Sequence, residues 1–180
     1  MFCPRCEKLV RQCLEEAGCS VIAVKLGKAI IKACSKKTLS KLSYELKHIG
    51  FELLVKRNEQ QAEQIKNQLI YAIYYQHYTL KLSTLQDYFE QKTNQKYQYL
   101  DNQFKSSFGV SIINYFKSLR FERAKELISY QEQSAKEIAR CLGYTSLKQL
   151  NSEFKQRLNL TVTEFFTSEN KHRLPLNKLI

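Results

Sequence analysis

The chain has 180 residues, with 29 Lys and Arg against 17 Asp and Glu and a formal charge of +12. Hydrophobic residues make up 43% and aromatics 12%, enough to fill packed cores, so a disordered polycation is excluded. No apolar run approaches the roughly 18–20 residues that span a bilayer, so no membrane partner is expected, and the cationic excess points to a polyanion.

Five of the six cysteines, Cys3, Cys6, Cys13, Cys19 and Cys34, fall near the start, and only Cys141 lies beyond. Met1 and Phe2 ahead of Cys3 leave no room for a secretory signal, so the thiols are expected in a reducing, cytoplasmic compartment. There a close pair signals metal or redox chemistry more often than a structural disulfide. Cys3-Pro4-Arg5-Cys6 is such a pair. Its spacing lets two thiolates share one soft metal ion, and its second cysteine falls in the first turn of a helix.

That helix is expected over Glu7–Ala17, with Leu9, Val10, Cys13 and Leu14 on one face and Gly18 as the stop. Val21–Leu26 and Ala29–Cys34 read as strands joined at Gly27-Lys28 in a hairpin. Leu39–Ile49 repeats apolar residues at helical spacing, with Thr38 as N-cap and Gly50 as stop, and Phe51–Val55 reads as a last strand. Residues 56–63 carry no large apolar residue and read as a linker, which places a first domain at 1–55. Beyond the linker the pattern turns almost wholly helical over 64–168, leaving 169–180 as a tail. Helices are expected over Glu63–Tyr78, Thr84–Thr93, Tyr97–Phe108, Ile112–Tyr130, Ala135–Leu142, Leu147–Leu158 and Val162–Ser168. Ser83, Ser111, Ser134, Ser146 and Thr161 sit where N-caps are wanted.

The helical half repeats itself at a shift of 50 residues. Leu100, Phe104 and Lys105 align with Leu150, Phe154 and Lys155; Gly109-Val110-Ser111 aligns with Asn159-Leu160-Thr161, and Tyr115-Phe116 with Phe165-Phe166. Each copy is a short helix, a tight turn and a second short helix, the outline of a helix-turn-helix. With the apolar residues turned inward, Gln98, Asp101, Asn102 and Lys105 are expected outside in the first copy. Lys148, Gln149, Asn151 and Ser152 are expected outside in the second, with Lys155 and Arg157 further along. Each of these polar residues reads equally well as part of a solvated helix face.

The stretch Tyr115–Ile128, with Arg120, Ala124 and Leu127 at linker-helix spacing, is followed by Ile138-Ala139-Arg140-Cys141-Leu142-Gly143-Tyr144 and by Phe154-Lys155. Over about residues 64–168 it resembles the C-terminal DNA-binding domain of AraC/XylS-type transcription regulators. The resemblance implies two helix-turn-helix units bridged by one long helix, with both recognition helices entering successive major grooves of double-stranded DNA. Gln98, Asp101, Asn102, Lys105, Lys148, Gln149, Asn151, Ser152, Lys155 and Arg157 would be the DNA-binding set, and RNA polymerase and a second copy of the chain are candidate partners. The chain departs from the family where a basic residue is usual: Asn102 and Ser152 stand there. An acid at Asp101 suits a cytosine amino group, and Asn102, Gln149 and Asn151 suit adenine. Phosphate contacts from Lys105, Lys155 and Arg157 would make the affinity salt-sensitive.

The first 55 residues, through Cys3-Pro4-Arg5-Cys6, Gly18-Cys19-Ser20-Val21 and Ile49-Gly50-Phe51, resemble the heavy-metal-associated domain of copper chaperones and metal-pumping ATPases. That resemblance implies a small ferredoxin-like α+β domain with copper(I) or zinc held by Cys3 and Cys6, no cofactor being required otherwise. The family places a whole strand before its first cysteine, so that strand is expected to be missing here. The pair's role stays open between metal or thiol chemistry and a structural or dimerising domain. Cys13, Cys34 and Cys141 are expected to pack in cores. No nucleophilic triad, phosphate loop or catalytic carboxylate pair occurs at motif spacing, so an enzyme is not expected. The whole chain reads as α+β, a small N-terminal domain followed by an all-α double helix-turn-helix, and as a transcription regulator. The rival reading is a thiol-based copper or zinc carrier or sensor whose helical half makes protein contacts.

Overall fold

The structure, a computed structural model, describes residues 4–25, 27–75, 80–168 and 172–179. The chain divides into two compact units, Met1–Gln68 and Leu69–Ile180.

In the first unit α1 (Pro4–Glu16) begins at Pro4, a residue suited to the first helical position because its missing N–H would find no partner there. It buries Val10, Cys13 and Leu14 at helical spacing. The chain leaves it through Gly18 at φ +80, with the Cys19 N–H donating to the Leu14 carbonyl at 2.9 Å. The expected hairpin forms, though shorter: β1 (Val21–Lys25) pairs antiparallel with β2 (Lys28–Ile31). The register runs Val21↔Ile31, Ala23↔Ile30, Val24↔Ala29 and Lys25↔Lys28, with an irregularity between Val21 and Ala23 that leaves Ile22 facing solvent. At the turn Gly27 has φ +74, which favours glycine, and a Cβ there would meet the Asn67 amide.

The second helix, α2 (Lys36–His48), starts before the expected Thr38 cap because Ser35 takes that role, its Oγ accepting from the Thr38 N–H at 3.1 Å. Leu42 and Leu46 join Val10, Cys13, Leu14 and Cys19 in a core that Val21, Val24 and Ile31 cover from the hairpin. Burial pushes the Cys13 and Cys19 thiols up, and Cys19 faces Cys34.

Phe51–Val55 is not a strand, although its residues favour one. The Phe51 N–H is spent on the Leu46 carbonyl at 2.8 Å, the Leu54 carbonyl accepts from the Gln60 amide at 2.6 Å, and no neighbouring strand offers a ladder. Strand-forming side chains do not make a strand without a partner edge. Among the described residues the sheet therefore has two strands, and the ferredoxin-like sheet expected from the resemblance is not formed. Most of residues 56–63, expected as a linker, belong to α3 (Arg57–Tyr74). The Lys56–Glu59 pair at 3.0 Å closes its first turn, and Ala62 and Ile65 give it a buried stripe. The expected end of that helix at Tyr78 lies outside the described residues.

The second unit is helical. A short 3-10 turn (Leu82–Thr84) leads into α4 (Leu85–Thr93), with Thr84 and not Ser83 at the cap position. Then follow α5 (Tyr97–Phe108), α6 (Ile112–Tyr130), α7 (Ala135–Cys141), α8 (Leu147–Leu158) and α9 (Val162–Thr167). Ser111, Ser134, Ser146 and Thr161 each accept a backbone N–H as N-caps, and Ser134 and Thr161 form capping boxes with Glu137 and Glu164.

The repeat at a shift of 50 is reproduced in helix ends and core packing. Helices α5 and α8 end in left-handed caps at Gly109 and Asn159. Phe104 packs on Tyr115 at 5.6 Å between ring centroids, as Phe154 packs on Phe165 at 5.3 Å. Part of the expected tail, over residues 172–174, is bound to α6. The Leu174 N–H donates to Glu122 at 2.9 Å, Lys125 donates to the His172 carbonyl at 3.0 Å, and Arg173 pairs with Glu126 at 3.1 Å. Cys141, expected in a core, is exposed, its thiol turned back to the Ile138 carbonyl at 3.3 Å.

Candidate nucleic-acid interface

The candidate surface is built on α5 and α8, the second helix of each repeat copy. The structure sorts the ten expected residues into three groups. In the first are Asp101 and Asn151, which do not face outward as readers of bases. Asp101 is 6% exposed, and its Oδ1 accepts from the Ile112 N–H at 2.8 Å, while Oδ2 pairs with Lys105 at 2.7 Å. Asn151 Oδ1 accepts from the Val162 N–H at 2.9 Å. In both copies a side chain from the middle of the candidate recognition helix thus satisfies the first orphan N–H of the next helix, eleven residues on, and fixes the angle between the two. These residues shape the surface from behind.

The second group is engaged at the surface. Gln149 accepts from the Thr145 N–H at 2.8 Å and closes the turn into α8. Lys105 is half neutralised by Asp101, and Arg157 is paired with Glu153 at 3.1 Å and lies over the Phe121 ring at 4.9 Å. The third group is exposed and turned outward: Gln98, Asn102, Lys148, Ser152 and Lys155. Gln98 and Asn102 lie one turn apart on α5, with Gln98 Nε2 donating to Asn102 Oδ1 at 3.0 Å. The Ser152 hydroxyl donates to the Lys148 carbonyl at 2.9 Å. The shift of 50 makes Gln98 equivalent to Lys148, Asn102 to Ser152, and Lys105 to Lys155.

One positioning group was not singled out in the sequence. Arg120 of α6 is 2% exposed, with its guanidinium 3.9 Å from the centre of the Tyr144 ring and Nη2 3.6 Å from Glu153 of α8. Burial, then the Glu153 charge, push the Tyr144 hydroxyl well above its usual range. A buried cation held between α6, the α7–α8 turn and α8 locks the second helix pair onto the long helix. Its sequence signal was present, since Arg120 opens the linker-helix motif, but only packing shows that the charge points inward.

Of the Cys3/Cys6 pair, Cys3 lies outside the described residues, and Cys6 is half-buried in the first turn of α1. Two thiolates suit a soft metal by their donor chemistry. Among the described residues there is no group of three or more His, Cys, Asp or Glu that could hold a metal ion.

Two short helices joined by a tight turn, twice over, with a 19-residue helix between the copies, define a helix-turn-helix module of the DNA-binding class. Residues 91–168 match the family model of a helix-turn-helix domain, a span that starts within α4 and ends just past α9. No curated protein and no solved structure matches the chain. No helix among the described residues is long and apolar enough to cross a membrane.

Proposed function

We propose that the protein is a sequence-specific DNA-binding transcription regulator of the AraC/XylS type, its two helix-turn-helix units entering successive major grooves on one face of the duplex. The observation that carries this reading is the matched pair of Asp101–Ile112 and Asn151–Val162 bonds, which tie α5 and α8 at equivalent positions to the helices that follow them. Grooves one turn apart lie about 34 Å apart. A helix the length of α6, at roughly 1.5 Å per residue, covers most of that distance. Lys155 is an exposed cation on α8, and with Lys105 and Arg157 it would meet phosphate.

The cysteine pair carries the regulatory half of the proposal. A soft ion such as copper(I) or zinc at Cys3 and Cys6, or oxidation of the two thiols, would shift the DNA-binding equilibrium by its unequal affinity for two states of the chain. Fluorescence anisotropy of the full chain tests both parts. A selected duplex should outcompete random duplex at physiological salt; equal competition would overturn sequence-specific regulation. Copper(I) should change the affinity of the parent chain but not that of a Cys3→Ser, Cys6→Ser chain, and an equal response in both would remove the metal from the proposal.

A further inference from the structure

Cys13, Cys19 and Cys34 gather on one core in the first unit, and the last two are placed to join. The hairpin ladder runs past its strands: beyond the Val21↔Ile31 pair, the Lys32 N–H donates to the Ser20 carbonyl at 2.9 Å. Continuing that register sets Cys19 beside the Ala33–Cys34 step, at the open end of the hairpin. There the Cys19 thiol is within hydrogen-bonding reach of the Cys34 thiol, and both are free. The two differ in access. Cys19 is 6% exposed, and burial pushes its thiol up. Cys34 is half-buried, immediately before the Ser35 cap of α2, where a small oxidant can reach it. Cys13 is buried, and that burial, followed by the charges of Glu45 and Glu16, keeps its thiol protonated and a poor competitor.

We propose that Cys34 and Cys19 form a reversible disulfide, with Cys34 the thiol that meets a peroxide and Cys19 the thiol that resolves the product. In the first step the Cys34 sulfur forms an S–O bond as the O–O bond of hydrogen peroxide breaks, and the thiol proton leaves with the departing hydroxide as water. In the second the Cys19 sulfur bonds to the Cys34 sulfur, the S–O bond breaks, and the Cys19 proton and that hydroxyl form another water. The sulfur pair loses two electrons, which the peroxide takes up, and a dithiol reductant reverses the change. The link closes a loop around the hairpin and ties its start to the entrance of α2, so oxidation restrains this part of the first unit. It needs neither a metal at Cys3 and Cys6 nor DNA, and it stands apart from the function proposed above.

The full chain is treated with hydrogen peroxide, its remaining thiols are alkylated, and its proteolytic peptides are mapped by mass spectrometry without reduction. The expected product is a Cys19–Cys34 link within one chain, formed ahead of any other pairing and lost on treatment with dithiothreitol. In a Cys19→Ala chain Cys34 should stop at the sulfenic acid, which dimedone captures. The same oxidation in concentrated urea should spread the links over other pairs, because the fold no longer brings these two thiols together. The map of the parent chain decides the pairing even if the variant fails to fold. A main product that joins Cys34 to Cys3, Cys6, Cys13 or a second chain overturns the inference. So does oxidation of Cys34 to the sulfinic acid without a link, or a native pattern of links no different from that in urea.

Discussion

Asp101 illustrates how a residue chosen for one chemistry serves another. Its carboxylate is spent on the Ile112 N–H and on Lys105, so its removal leaves a buried donor unsatisfied at the start of α6. Asp101→Ala should destabilise the second unit by about 2 kcal/mol and Asn151→Ala by about 1 kcal/mol, whereas Asp101→Asn, which keeps the acceptor, should cost less than either, as read by urea unfolding. This role was hidden in the sequence because a short polar side chain on a recognition helix looks the same whether it turns outward or reaches eleven residues along the chain. The outward placement of Gln98, Asn102 and Lys148 was legible from apolar spacing alone, while the loss of Gln149 to the Thr145 turn was not. Glu126 carries a pH dependence of definite sign. Burial works against its charge, but hydrogen bonds from Arg123 and Tyr130 and the charges of Arg123 and Arg173 outweigh it and hold the carboxyl below its usual value. A depressed carboxyl stabilises the folded state above the unfolded pKa and loses that contribution as pH falls through the folded pKa. The stability gap between the parent and Glu126→Gln should therefore be full at neutral pH and close below about pH 4.3, the reference value for a free glutamate.

At the scale of elements, three helices of the second unit match their expected bounds to the residue, while the two behind capping boxes end one residue early. Tyr97–Phe108, Ile112–Tyr130 and Leu147–Leu158 form as expected, the last two behind Ser111 and Ser146 and all three ending in a left-handed residue. The failures lie where tertiary context decides. Phe51–Val55 has strand composition but no partner edge, and the polar start of α3 looks like a linker until Ala62 and Ile65 are buried. The long helix α6 sets both the spacing and the phase of the two copies. One alanine inserted in its middle turns one copy about 100° against the other and adds about 1.5 Å. Affinity for a two-groove duplex should then fall to that for a single half-site, while either half-site alone still binds, as measured by anisotropy on the two duplex lengths.

The charge of the whole molecule, +12, reveals less about its contacts than the pairing of its cations does. Lys105, Arg120, Arg123, Lys125, Arg157 and Arg173 all sit within 4 Å of a carboxylate, so part of the positive charge on the helical unit is already shared. The dependence of affinity on salt should accordingly be shallow for so basic a chain. A log–log slope near −3 to −4 is expected, about 0.9 per phosphate neutralised, and a slope near −10 would mean that the paired cations open on DNA.

The bonds that define each copy join residues close together in the chain, with Asp101 to Ile112 and Asn151 to Val162 as their closing links. Structure made from such short-range contacts forms quickly and in the order of synthesis. The first copy can therefore close once Tyr115 has been made, before the second exists. A nascent chain stalled after α6 would already hold one finished recognition surface, so arrest there should yield a species able to grip a single groove.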